Sequence, residues 1–173
     1  MKHLLALVLF FAPLAYADIF VGVGTGVRMK DQSGGSGQAL LTPYTFIAGF
    51  TWADWSIAAE AAEIRQESGG GNTLVSTRQL DAILWLRRDL SGGFWNPFLG
   101  VGGGKQQAQV DTHFAGQVTS GQGEPSSVLG IALGFQSQTP ASLNFGFEMR
   151  YLSGSQLRTV TVYESVSRLV YQF

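Results

Sequence analysis

The chain has 173 residues, 11 Lys and Arg against 12 Asp and Glu, a formal net charge of −1 and no cysteine. Near-balanced charge with no basic stripe or run argues against nucleic acid as a partner. The lack of cysteine excludes disulfide staples and an acylated lipoprotein cysteine, and the length suits a single domain.

Residues 1–17 begin with Lys2 and His3, continue through an apolar run from Leu4 to Leu14, and end in Ala15, Tyr16 and Ala17 ahead of Asp18. This pattern predicts a secretory signal peptide cut after Ala17, leaving 18–173 as the mature domain. The apolar run falls short of the roughly 20 residues a spanning helix needs. Nothing after Leu14 is apolar for longer, so the mature chain enters a membrane only as a closed barrel whose backbone groups pair between strands.

Eight segments alternate with the period of a strand. The first, Ile19 to Met29, sets Ile19, Val21, Val23, Val27 and Met29 against Phe20, Gly22, Gly24, Gly26 and Arg28. The second, Pro43 to Trp52, carries Tyr44, Phe46, Ala48, Phe50 and Trp52 on one face. Beyond a turn at Ala53 and Asp54, the third sets Trp55, Ile57, Ala59 and Ala61 against Ser56, Ala58 and Glu60, and its alanines also suit a helix. The fourth, Thr73 to Arg88, places Leu80, Ala82, Leu84 and Leu86 opposite Gln79, Asp81, Ile83, Trp85 and Arg87. A shift of one residue there would put Asp81 in lipid, which fixes its register.

The fifth alternates Pro97, Leu99 and Val101 with Phe98, Gly100, Gly102 and Gly104. The sixth sets Leu129, Ile131, Leu133 and Phe135 against Val128, Gly130, Ala132, Gly134 and Gln136. The seventh sets Leu143, Phe145, Phe147, Met149 and Tyr151 against Asn144, Gly146, Glu148 and Arg150, and the eighth runs from about Thr159 to Phe173. A soluble eight-stranded barrel would turn its bulky apolar face inward. Here the glycine-rich face is too small to cover an apolar core, so Gly, Ala, Glu and Arg are expected to fill a narrow lumen while Leu, Val and Phe face lipid.

On the eighth segment Tyr163 and Phe173 share a face ten positions apart, about 33 Å along a strand and about 25 Å of height once tilted. That matches the apolar band between two aromatic girdles: Trp52, Trp55, Trp95, Tyr171 and Phe173 at one interface, and Tyr44, Tyr151 and Tyr163 at the other. Connections at Ala53 to Asp54, Asp89 to Phe94 and Ser137 to Ala141 are turn-like. Those at Lys30 to Thr42, Arg65 to Asn72 and Gln106 to Glu124 are longer and polar. Short turns face the periplasm and long loops the exterior, so both termini are expected in the periplasm.

The terminal face Leu169, Tyr171 and Phe173 resembles the C-terminal strand of bacterial outer-membrane barrels, which in that family doubles as the insertion signal, although Ser167 and Ser165 continue the face where apolar residues are usual. Together with the strand pattern and the glycine-rich Pro97 to Gly104 segment, the mature chain is similar to the small OmpA/OmpX-type, Gram-negative outer-membrane barrels. The resemblance implies an all-β, eight-stranded antiparallel up-and-down transmembrane barrel, with outer-membrane lipid, lipopolysaccharide and the barrel-insertion machinery as partners. It implies no cofactor and leaves any ligand of the cell-surface loops open.

Gly22, Gly24 and Gly26 lack dinucleotide-loop spacing. Gly104 and Lys105 resemble the end of a phosphate loop whose first glycine is replaced by Leu99 and whose Ser or Thr is replaced by Gln106. Both stretches read as close packing in a small barrel. The inward set Glu60, Asp81, Arg87, Glu148, Arg150, Glu164 and Arg168, with Arg28 near the outer mouth, is expected to pair, because unpaired charge in a narrow interior costs several kcal/mol. Such pairs plug the lumen, or by exchanging partners they open a small, porin-like ion path.

Some barrels of this size modify lipid A, and the deacylases among them use a histidine and a serine on an outer strand. This mature chain has His113, with Asp111 and Ser120, in what reads as a flexible loop without the fixed base geometry that activates a serine. Asp111 and His113 also supply too few ligands for a metal. Ser33, Gly34, Gly35, Ser36 and Gly37, and the Gln, Thr and Ser of the longest loop, lack the Trp, Tyr and Arg anchors of a strong binding surface. The sequence therefore predicts a non-enzymatic barrel with a structural or surface-interaction role.

Overall fold

The computed structural model describes residues 18–32, 39–90, 93–137, 142–154 and 160–173, without the side chains of 30–32, 39–40 and 160–163. The predicted leader, the Ser33 to Gly37 stretch and the Tyr163 side chain lie outside the described residues, as do 91–92 and 138–141 of the predicted short turns.

Ten strands make one antiparallel sheet: β1 (Asp18–Gln32), β2 (Ala39–Leu41), β3 (Pro43–Trp52), β4 (Trp55–Gly70), β5 (Thr73–Asp89), β6 (Trp95–Phe114), β7 (Gln117–Gln122), β8 (Ser126–Ser137), β9 (Leu143–Gly154) and β10 (Val160–Gln172). Eight of them form a closed wall in the order β1, β3, β4, β5, β6, β8, β9, β10, with β10 pairing back onto β1 over Phe20–Gln32. The short strands β2 and β7 pair with β1 and β6. The alanine-rich third segment is a strand.

One row of paired residues traced around the wall measures the barrel. It runs from Phe20 through Gly49, Ala58, Trp85, Gly102, Gly130, Leu152 and Val162, and it returns to β1 at Lys30 rather than at Phe20. The shear is thus ten residues. With eight strands this gives a tilt of about 40° and a backbone radius of about 8 Å.

The bulky apolar face points outward: Leu129 is 70 % exposed, Met149 61 % and Leu84 58 %. On β5 the outward face from Leu80 to Leu86 is bracketed by Arg78 and Arg88. These lie ten residues apart, about 25 Å in height at this tilt, which is the thickness of an outer-membrane apolar band. The inward face holds more than the Gly, Ala, Glu and Arg expected to fill it, and Phe20, Ile83, Trp85 and Val128 do point inward as the alternation predicts. Ile47, Trp85 and Val166 are fully buried, and Phe20, Ile83, Val128, Leu152 and Val170 join Ile47 and Trp85 in an apolar layer. Glycines make the space: a Cβ on Gly102 would lie 2.6 Å from Trp85 Cε3, and one on Gly130 2.9 Å from Trp85 Cη2. Trp85 fills the volume that β6 and β8 leave empty.

Two segments expected to be loops are strands. β4 runs on to Gly70 and pairs with β5 from Thr73, so Arg65 to Asn72 is a hairpin arm whose turn places Gly71 at φ 64°. Gln106 to Glu124 is likewise mostly ladder: β6 continues to Phe114, turns through Ala115 and Gly116, both at positive φ, and returns as β7. Positive φ at both central residues is the type I′ geometry that matches strand twist. Polar composition concealed these strands, because the backbone ladder needs no apolar face where water wets both sides. Part of Lys30 to Thr42 is strand as well, since β1 reaches Gln32 and β2 pairs with Arg28–Lys30.

The Gly102 contact is testable. Gly102→Ala should destabilise the refolded barrel by roughly 1–3 kcal/mol in urea unfolding, and Trp85→Leu combined with Gly102→Ala should recover part of that loss. Equal stability of Gly102→Ala and the native chain would show that Trp85 does not pack on β6.

Candidate functional site

Alternation on five strands sends charged side chains into the bore: Arg28 from β1, Glu60 from β4, Asp81 and Arg87 from β5, Glu148 and Arg150 from β9, and Glu164 and Arg168 from β10. All eight are buried. Among the described residues β3, β6 and β8 contribute none, and Trp85 occupies the space beside β6 and β8.

The side chains form a continuous chain of contacts. Arg28 Nη1 meets Asp81 Oδ2 at 2.7 Å, and Arg28 Nε donates to Glu164 Oε2 at 2.9 Å. Arg150 forks onto Glu60, with Nη1 to Oε1 and Nη2 to Oε2 each 2.5 Å, while its Nη1 lies 3.5 Å from Glu164 Oε1. Arg150 Nε also donates to Glu148, and Arg168 bridges Glu148 and Glu60. Arg87 Nη2 closes the chain 2.9 Å from Glu148 Oε2. The guanidinium of Arg150 lies 4.8 Å from the Trp85 ring and that of Arg87 5.2 Å from the Phe98 ring, distances suited to cation–π attraction.

Four arginines thus meet four carboxylates, with each acid touching at least one guanidinium. Shear decides these partners. Glu148 and Arg150 reach Arg168 and Glu164 on the neighbouring strand, and they also reach Glu60 and Arg87 across the bore. From Arg28 down to Arg87 the network spans about 15 Å of barrel height. Below it, towards the end carrying the chain termini, Arg87 faces a cavity of about 190 Å³ lined with Asp18, Ser56, Asn96, Gln136 and Gln172. Beside Glu148 and Arg168 the free volume falls to about 10 Å³, room for a single water at most.

At the opposite end β4, β5, β6 and β7 continue as a four-stranded sheet beyond the network. His113, Asp111 and Ser120 lie on one face of it rather than in a flexible loop, with Asp111 directly opposite Ser120. Asp111 accepts a hydrogen bond from the Ser120 hydroxyl, which with Gln109 and the nearby His113 holds its carboxyl below the usual aspartate range. The acid holds the serine instead of orienting the histidine, so the order of contacts that activates a nucleophile is missing. Among the described residues no three His, Asp or Glu side chains gather into a metal site.

No protein-family model matches the sequence, and no curated protein does. Solved structures do match in shape. Neisserial surface protein A superposes with a TM-score of 0.72 at 17% identity, covering 91% of this chain and 99% of that one. Ail, the attachment invasion locus protein of Yersinia pestis, solved with the heparin analogue sucrose octasulfate, gives 0.67 at 12% identity with the same coverages. A major outer membrane protein of Thermus thermophilus gives 0.64 at 10%, again covering 91% and 99%.

The chain has the fold of the small outer-membrane barrels. On that fold the outward Tyr and Trp rings fall at two heights, with Phe46 and Phe147 between them. Tyr44 and Tyr151 stand about 20 Å above Trp52, Trp55, Trp95, Tyr171 and Phe173, when the register and tilt are converted to height. Leu169, Tyr171 and Phe173 are exposed, with the rings of Tyr171 and Phe173 edge to face at 4.9 Å. Phe173 N donates to Ile19 O at 2.9 Å, so the last residue is tied to the first strand.

The Asp111–Ser120 rung gives a pH expectation. An aspartate depressed in the fold adds stability to the hairpin above its unfolded pKa, and that contribution is lost as pH falls through the folded value. In a carboxyl NMR titration Asp111 should titrate below an ordinary aspartate, and Ser120→Ala should move it upward. An unchanged midpoint in Ser120→Ala would remove the rung.

Proposed function

We propose that the chain is a non-enzymatic resident of the bacterial outer membrane, its lumen plugged by the arginine–carboxylate network and both termini in the periplasm. From this anchor the β4–β7 sheet rises as a cell-surface interaction element. The balanced network carries the reading, because four arginines and four carboxylates are all buried in the bore, and the cavity beside Arg87, Glu148 and Arg168 holds only about 10 Å³. Moving ions through it would require breaking several buried pairs, each held at a cost of several kcal/mol.

Orientation follows from the connections. The link between β3 and β4 is two residues long, whereas β4 to β7 extend well past the network at the other end, the asymmetry expected between periplasmic turns and exterior segments. Leu169, Tyr171 and Phe173 then serve as the insertion signal and the two aromatic levels as interfacial girdles. The projecting sheet offers its polar faces to an extracellular ligand, as a likeness to Ail bound to a heparin analogue suggests. Above Arg78, though, its outward face carries Glu67 and Asp111, and charge there gives no preference for a sulfated glycan.

The test is single-channel recording in planar bilayers, with insertion confirmed by heat-modifiable gel mobility. The native chain should be silent, and a chain carrying Glu148→Ala and Arg150→Ala should show small steps. Reproducible steps from the native chain would replace the plug with a small ion-conducting pore.

A further inference from the structure

Outside the barrel, at the same end as the projecting sheet, the wall carries a feature that the plug and the sheet leave unused. A groove of about 710 Å³ crosses the outward faces of β3 to β6, walled by Tyr44, Phe46 and Leu80 with Ala61 and Ala82 as its floor. The floor is shallow because register aligns small residues, Phe46 opposite Ala61, Ala61 opposite Ala82, and Ala82 opposite Lys105. Three strand spacings make it about 14 Å wide, broader than one extended acyl chain.

Cations stand on its rim. Lys105 projects outward beside the floor, and its Nζ hydrogen-bonds a neutral partner, Ser127 Oγ, at 3.0 Å. Above it Arg65 and Arg78 sit opposite each other, with side chains 70% and 46% exposed. Both lean on one carboxylate: Arg65 Nε lies 2.5 Å and Arg78 Nε 2.9 Å from Glu63 Oε1. Even with Glu67 one outward position beyond, this set keeps a positive excess. Lys105 lies four residues below the Arg78 rung on β6, a height difference of about 7 Å after tilt, within the reach of extended Lys and Arg side chains.

A lysine about 7 Å below the Arg78 level, inside the limit of the apolar band, calls for an anion that arrives with the lipid. We infer that this groove binds an outer-leaflet glycolipid carrying more than one phosphate and several acyl chains, of the lipid A type, with phosphates on Lys105, Arg65 and Arg78 and acyl chains over Ala61 and Ala82. The breadth of the groove accommodates chains side by side, and two cationic levels suit a head group with separated phosphates. Arg88, the outward arginine at the other edge of the band, lies over the Trp55 ring at 5.4 Å and serves as the control. The inference rests on the outer-membrane reading above and names a lipid partner for that same barrel.

The experiment is native mass spectrometry of the full mature chain released from micelles containing bisphosphorylated lipid A, dephosphorylated lipid A or phosphatidylglycerol. Folding of each variant is checked by heat-modifiable mobility. The native chain should retain one bisphosphorylated lipid A. Lys105→Gln with Arg78→Gln should weaken retention at least tenfold, Ala82→Leu should weaken it with all cations present, and Arg88→Gln should leave it unchanged. Equal retention by the Lys105→Gln/Arg78→Gln chain, or phosphatidylglycerol held as tightly as lipid A, would overturn the assignment. A folded native chain that retains no lipid A would overturn the site and leave the plugged barrel standing. A chain without heat-modifiable mobility would instead bring down the barrel reading itself.

Discussion

The narrow bore constrains everything else in this molecule. Eight strands sheared by ten residues leave a radius of about 8 Å, and the inward face must fill that volume without leaving a charge alone. Small residues on β6 and β8 make room for Trp85, and Trp85 in turn presents its ring to Arg150. The charged half of the bore then closes on itself through arginines that each touch at least one acid. Removing a single member strands a partner in a region of low dielectric, where compensation is poor. Charge network, register and packing are consequently one arrangement seen from three sides.

The outer surface follows another rule. Between Arg88 and Arg78 the lipid-facing side of β5 is uninterrupted Leu and Ala, and Trp55, Trp95 and Tyr171 collect near the Arg88 limit. Past Arg78 water wets both faces of the sheet, and the sequence turns to Gln, Ser and Thr without losing the ladder. The same backbone pattern thereby runs from an apolar wall into a polar sheet, which the proposed reading places at the cell surface. The groove under Arg78 and Lys105 lies where one regime gives way to the other.

Fold class and strand faces were legible because lipid imposes a period of two: Asp81, Glu148 and Arg150 each stand between outward apolar neighbours, and alternation assigns their face. Strand extent was not legible beyond Ile64 on β4 and Lys105 on β6. With water on both sides, alternation disappears and only cross-strand pairing distinguishes ladder from loop. The interior apolar layer was legible only in part: alternation turned Phe20, Ile83, Trp85 and Val128 inward but did not show how they pack with Ile47, Leu152 and Val170. Sorting faces by size gave glycine and charge one side, but which long side chain fills the space above a glycine depends on the neighbouring strands. The partners in the charge network lie beyond sequence for the same reason. Glu60 meets Arg150 across ninety positions of chain, through a shear that no local pattern encodes.

The most direct test of a neutral, water-poor network is a double-mutant cycle on the Glu60–Arg150 fork, read as unfolding free energy in a lipid or micelle host. Arg150→Met alone should cost about 3–5 kcal/mol by stranding a buried carboxylate. Glu60→Leu together with Arg150→Met should cost less than the two single changes combined, with a coupling of at least about 1 kcal/mol. Additive costs within about 0.5 kcal/mol would mean that water already solvates these groups and that the bore is open.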